Sequence, residues 1–121
     1  MLSARYRLRR RQAFDQIYQQ GRRQSGSVLS ITCLPRPEGS SSSQSSQLAV
    51  VVSKKVSRHA VGRNRIKRRL RAVIREVLPD LEPGYWIIIS ARPSCADRSY
   101  PDLKVELQRL LKKAGVLKTA D

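Results

Sequence analysis

Residues 54–75 carry ten cations, Lys54, Lys55, Arg58, Arg63, Arg65, Lys67, Arg68, Arg69, Arg71 and Arg75, without a single carboxylate. The chemistry open to such a run is the binding of a polyanion. Arginine dominates it, and the planar guanidinium fork takes a phosphate through two parallel N–H bonds and stacks on bases, which an ammonium does not. Phosphate is therefore the favoured ligand. Ile66, Leu70, Val73 and Val77 recur at helical spacing up to Pro79, which with Gly84 marks an exit turn, so the spacing predicts a helix through this run. With Ile66 facing the core, successive 100° steps put Asn64, Arg68, Arg71 and Arg75 on the opposite side. Arg63 and Lys67 flank that stripe on one edge and Arg65 on the other. An ordinary solvated helix face mixes signs to gain i,i+4 pairs, whereas the seven like charges from 63 to 75 repel at about a few tenths of a kcal/mol each. A partner that neutralises them removes this cost.

Catalysis by the chain itself finds little support. Metal-dependent nucleases need clustered carboxylates and acid–base nucleases paired His or Glu groups, and the sequence contains neither pattern. Glu76, Asp80 and Glu82 gather near one helix exit and read as surface groups. His59 is the only histidine, so a zinc site of the usual Cys and His type cannot be assembled. It reads as a backbone-contacting or RNA-facing residue. Cys33 and Cys95 lack CxxC spacing and read as two buried, idle thiols, with no disulfide expected in a reducing cell.

The elements that must position the basic run come next. The 121 residues fit one domain, with 25 Lys and Arg against nine Asp and Glu and a formal charge of +16. Ala13, Phe14, Ile17 and Tyr18 share one side of a helix over Arg11–Gln20, and Gly21 follows where a left-handed terminating residue is wanted. Phe14 and Tyr18 could either pack under a sheet or offer stacking faces to single-stranded bases. Before them an arm over residues 1–10, cationic through Arg5, Arg7, Arg9 and Arg10 and continued by Arg11, has no core-facing period and is expected to be mobile until bound. Residues 28–34 have strand character, halted by Pro35 and Pro37. The serine-rich stretch within 38–47 reads as a flexible hairpin connection. Residues 48–52 and 85–90 are short apolar runs suited to buried strands. Leu103, Leu107, Leu110 and Leu111 predict a last helix closing near Gly115, with Lys112 and Lys113 at its favourable end and a tail over 116–121. The longest apolar run is far short of a bilayer span of about 20 residues. The basic N-terminus lacks an apolar signal region, so a cytoplasmic location away from membranes is expected.

The run Val51-Val52-Ser53-Lys54-Lys55-Val56, then Ala60-Val61, then Arg63-Asn64-Arg65-Ile66-Lys67-Arg68-Arg69-Leu70-Arg71, resembles the signature of the bacterial ribonuclease P protein family. The Phe14 and Tyr18 helix, the strand Tyr85-Trp86-Ile87-Ile88-Ile89 and the following Ala91-Arg92 agree with it. The resemblance implies an α+β single domain with three helices and a small mixed sheet of about four strands, of which the patterns give three. It also implies a left-handed βαβ crossover carrying the basic helix, against the general right-handed preference. By that resemblance the chain would join a catalytic RNA, one protein per RNA, and assist removal of the 5′ leader of precursor tRNA. Mg2+ held mainly by RNA would supply the hydrolytic chemistry. Arg63, Asn64, Arg65, Lys67 and Arg68 would contact the catalytic RNA, with Lys54, Lys55, Arg58 and Arg71 nearby. Phe14, Tyr18, Arg9, Arg10 and Arg11 would face the leader. The serine-rich insertion and Thr32, where an aromatic is often found, depart from the pattern. A ribosomal or other structural RNA-binding protein is the rival reading, because it too would be small, basic and without catalytic groups.

Overall fold

The computed structural model describes residues 6–8, 10–36 and 45–118. Helix α1 (Arg11–Gln20) is followed by strands β1 (Arg22–Ser25), β2 (Leu29–Pro35) and β3 (Gln47–Val51). Helix α2 (Ala60–Val77), strand β4 (Tyr85–Ala91) and helix α3 (Tyr100–Lys113) complete the order. The sheet runs β1-β2-β4-β3, antiparallel except for the parallel pair of β3 and β4. This overturns the expected hairpin between the second and third strands: β4 inserts between them and α2 forms the crossover. The residues with the strongest claim to burial explain why. Trp86, Ile87, Ile88 and Ile89 are apolar at every position, and only a central strand covers both faces.

Strand alternation then builds two cores. Leu29, Ile31, Cys33, Leu48, Ile87 and Ile89 face α2 and α3, packing with Ile66, Leu70, Val73, Ile74 and Val77 and with Leu103, Leu107, Leu110 and Leu111. Trp86 and Ile88 face the other way and pack with Leu8, Ala13 and Ile17, with Phe14, Leu34, Ala49 and Val51 at the margin. Each fully buried Ile or Leu contributes roughly 1.5–3 kcal/mol.

Several local expectations need correction. Gly21 has φ −74° and is not left-handed. It is needed because a Cβ there would lie 2.5 Å from the Ile17 carbonyl oxygen and 2.8 Å from Thr32 Cγ2. Leu8 of the basic arm is buried, and its N–H donates to the Leu48 carbonyl at 2.9 Å beside an Arg7–Leu48 bridge, so this part of the arm is docked. Residues 1–5 and Arg9 lie outside the described residues. So do residues 37–44, which hold most of the serine-rich stretch. Its far end is fastened: Ser46 Oγ donates to the Glu82 carbonyl at 2.7 Å and accepts the Tyr85 N–H at 3.0 Å. The start of the expected tail is also tied down, with the Glu82 N–H donating to Val116 at 2.8 Å and the Lys118 N–H to Asp80 at 2.6 Å.

Strand β1 escaped the sequence patterns because Arg22-Arg23-Gln24-Ser25 has no apolar alternation; backbone pairing with β2 makes it a strand. The β1–β2 turn rests on a buried carboxylate, Glu106 of α3, only 7 % exposed. Its Oε2 accepts the Val28 and Leu29 N–H groups at 2.6 and 2.7 Å. Its Oε1 accepts Ser27 Oγ at 3.2 Å and Arg109 Nη2 at 3.1 Å. Gly26 makes room, because a Cβ there would stand 2.8 Å from Glu106 Cδ. Burial penalises the charged carboxylate, but the Val28 and Leu29 amides, the Ser27 hydroxyl and Arg109 outweigh it and hold the carboxyl below its ordinary range.

Glu106→Ala strands two buried amides, and should lower the unfolding free energy by about 3 kcal/mol in urea titration. A carboxyl depressed on folding gives full stability above its unfolded pKa of about 4.3 and loses it as pH falls through the lower folded value. The native protein should therefore show an acid-dependent loss of stability in that window that Glu106→Gln lacks.

Candidate nucleic-acid interface

The segment that carries the cations is organised by a tight turn. The Val56 and Ser57 N–H groups donate to the Ser53 carbonyl at 3.0 and 3.4 Å, which presents Lys54 and Lys55 to solvent. Arg58 is exposed as well, and His59 is an exposed N-cap without a side-chain capping bond. Gly62 lets α2 pack against this turn, because a Cβ there would meet Ser57 Oγ at 2.2 Å.

Along α2 the helical projection holds. Ile66, Leu70, Val73, Ile74 and Val77 are buried, while Asn64, Arg65, Arg68 and Arg75 are exposed and Lys67 and Arg71 are half-buried at the edges. Val61 stands among these cations 70 % exposed. Among the described residues the ion pairs are Lys104–Glu76 and Arg109–Glu106, so no carboxylate neutralises the stripe.

Two arginines of the run also work for the fold. Arg63 Nη1 donates to the carbonyls of Ser57 at 3.1 Å and Arg58 at 2.9 Å, pinning the turn to the helix. Arg69 Nη1 reaches the Arg98 carbonyl at 3.3 Å, joining α2 to the segment before α3. Sequence pattern alone does not separate such arginines from their neighbours, because a step of one residue, about 100° around the helix, decides whether a carbonyl lies within reach.

A second set of residues lies on the sheet face under α1. Phe14 is half-buried against the Trp86 and Ile88 core, so its packing role is realised, while Tyr18 one turn later is 56 % exposed. Arg10 and Arg11 are exposed at the start of α1. The register aligns Arg23, Thr32, Ile88 and Ala49 in one row of this face and Ser25, Ser30, Ser90 and Val51 in the next. Small side chains thus follow the aromatic wall, with exposed Arg23 at the β1 edge. Arg23 was not singled out from sequence, since β1 itself gave no signal.

The remaining reactive groups are committed to structure. Burial pushes the Cys33 thiol up to about 12, against a smaller pull from Arg22, and the Cys95 thiol up to about 11, against Arg69. Both stay free and buried. The Glu76 carboxylate accepts the Tyr100 hydroxyl, which is the main cause of its lowered pKa, and pairs with Lys104 at 3.5 Å. Among the described residues no three His, Cys, Asp or Glu side chains stand together to hold a metal ion, and no helix is long and apolar enough to cross a membrane.

The geometry separates folding arginines from free ones. Arg63→Ala should cost about 1 kcal/mol of stability by releasing the turn. Arg68→Ala should stay within about 0.5 kcal/mol of the native protein, as thermal unfolding of the two variants would reveal.

Comparison with known proteins bears on what this cationic surface serves. The family model described as Ribonuclease P matches residues 2–115. The ribonuclease P protein component of Synechococcus sp. (strain JA-2-3B'a(2-13)) is 40 % identical over 121 residues, covering 100 % of this chain and 90 % of the relative. That of Synechococcus sp. (strain JA-3-3Ab) is 44 % identical, covering 97 % and 92 %. The structure of the Staphylococcus aureus RNase P protein superposes with a TM-score of 0.79 at 26 % identity, covering 93 % of this chain and 98 % of that one. The family match along nearly the whole length, the superposition and the carboxylate-free run of residues 54–75 agree, and the chain belongs to the ribonuclease P protein family.

Proposed function

We propose that this chain is the protein subunit of ribonuclease P and acts by electrostatic scaffolding. The observation that carries the reading is the α2 stripe: Asn64, Arg65 and Arg68 exposed, Lys67 and Arg71 beside them, and among the described residues no carboxylate paired with any of them. A folded RNA presents phosphates at the density such a stripe needs, and neutralising them releases counterions. Lys54, Lys55 and Arg58 extend the surface beyond the helix start. Arg63 contributes its outer N–H groups while its Nη1 holds the turn.

The leader of precursor tRNA would lie along the sheet face beside α1. Tyr18 and the exposed edge of Phe14 offer stacking surfaces, Arg9, Arg10 and Arg11 offer cations, and exposed Arg23 and Ser25 border the same sheet face. Stacking and phosphate contacts of this kind bind single strands with little sequence preference. The absence of an aromatic at Thr32 limits the stacking to the α1 side.

Mg2+ at the scissile phosphate supplies the activated water in this reading. The chain has no described carboxylate cluster suited to hold the ion, so its ligands would be RNA phosphate oxygens. The protein binds, orients and neutralises; bond cleavage belongs to the RNA. One protein per RNA and a cytoplasmic location complete the proposal. A ribosomal or other structural RNA-binding role is not favoured, because the family match extends from residue 2 to residue 115.

Adding the protein to its cognate ribonuclease P RNA should raise precursor tRNA cleavage at low Mg2+, and protein alone should cleave nothing. Unchanged cleavage in the reconstituted mixture would contradict the assignment. Arg68→Ala should weaken assembly with the RNA and make its dependence on log salt shallower by about one unit of slope.

A further inference from the structure

Among the described residues, the charged side chain that reaches deepest into the fold has no place in the α2 stripe or the aromatic wall. Glu106 projects from α3, which covers the sheet face opposite α1, and grips the turn at the sheet's end. Its Oε2 takes the N–H of Leu29, the first residue of β2, and of Val28 before it. The next residue, Ser30, pairs with Ser25 of β1 and Ser90 of β4 in the row of small residues beside α1. The end of β4 is fastened to the same turn, through the Arg92 N–H on the Val28 carbonyl at 2.9 Å and Ser94 Oγ on the Ser27 carbonyl at 2.6 Å. The carboxylate thus braces the turn to which the end of β4 is also tied, next to the backbone pairing that joins β1, β2 and β4 at that row.

From this geometry we infer that Glu106 is a positioning residue for the precursor tRNA leader: it holds the β1–β2 turn and with it the exposed Arg23 and Ser25 of β1 on the sheet face that carries α1. The inference rests on the leader reading given above. It assigns the α3 carboxylate no contact with RNA, since it lies behind the turn and its oxygens are occupied by Ser27, Val28, Leu29 and Arg109. Gly26 belongs to the same device. Its missing Cβ is what lets the carboxylate approach, with only 2.8 Å available to Glu106 Cδ.

The role separates from general stability by which ligand is affected. Holoenzyme assembled with the cognate RNA would be titrated with precursor tRNA bearing a leader of about eight nucleotides, within the span of single-strand sites, and with tRNA whose leader is cut to about one. Native protein should bind the longer leader more tightly. Glu106→Gln, at a temperature where circular dichroism shows it folded, should lose roughly threefold or more of that gain while retaining its affinity for the catalytic RNA and for the short-leader tRNA. Gly26→Ala keeps the carboxylate but crowds it, and should reproduce the loss; it decides the matter if the Gln variant does not fold. A folded variant with the full leader gain, or an equal loss for catalytic RNA and both tRNAs, would overturn the inference. A native holoenzyme with no leader gain would overturn the leader reading and this inference with it, and that failure appears without any variant.

Discussion

The position of β4 is the constraint on which the remaining structure depends. Its four consecutive apolar residues can be covered only between two other strands, and β2 and β3 are therefore held apart, one antiparallel and one parallel to it. The parallel pairing demands a crossover, and that crossover is α2 with its cations. The same insertion divides the interior in two, with α2 and α3 on one face and α1 with Leu8 on the other. The arginine helix and the aromatic helix consequently lie on opposite sides of the sheet.

Charge is distributed by a related economy. A chain of +16 gains little from scattering its few acids over the surface. Two of them join elements instead: Glu106 ties α3 to the β1–β2 turn, and Glu76 ties α2 to Tyr100 and Lys104 of α3. Among the described residues neither forms an ion pair with a cation of the run over 54–75. The result is a rigid cation array whose internal repulsion is relieved only by an external polyanion.

How much of this was legible beforehand follows from the kind of signal each element carries. The α2 face was readable because Ile66, Leu70, Val73 and Val77 hold a strict period and the cations hold the complementary one. The two apolar strands were readable from composition, but their neighbours were not, since β3 is equally apolar whether it pairs with β2 or β4. Strand β1 was invisible, being polar and held by backbone alone. Gly21 and Gly26 give no such signal, because the need for them comes from residues distant in sequence, Thr32 and Glu106, and only folding brings those atoms near. The same is true of Arg63 and Arg69, whose neighbours in the sequence look identical to them. The functional signal resides in the α2 pattern and is independent of strand order.

The insertion of β4 also has a consequence for how the chain is made. A ribosome releases α1, β1, β2, β3 and the whole of α2 before β4, so β2 and β3 emerge with their inner edges unpaired and α2 with no finished sheet to bury its apolar side. Pairings this distant along the chain close slowly and leave open edges exposed meanwhile. Vectorial synthesis thus yields a nascent segment whose arginines are already in solution while its hydrophobic half waits for residues 85–91. Joining of β2 and β3 into one sheet is gated by translation of that one strand.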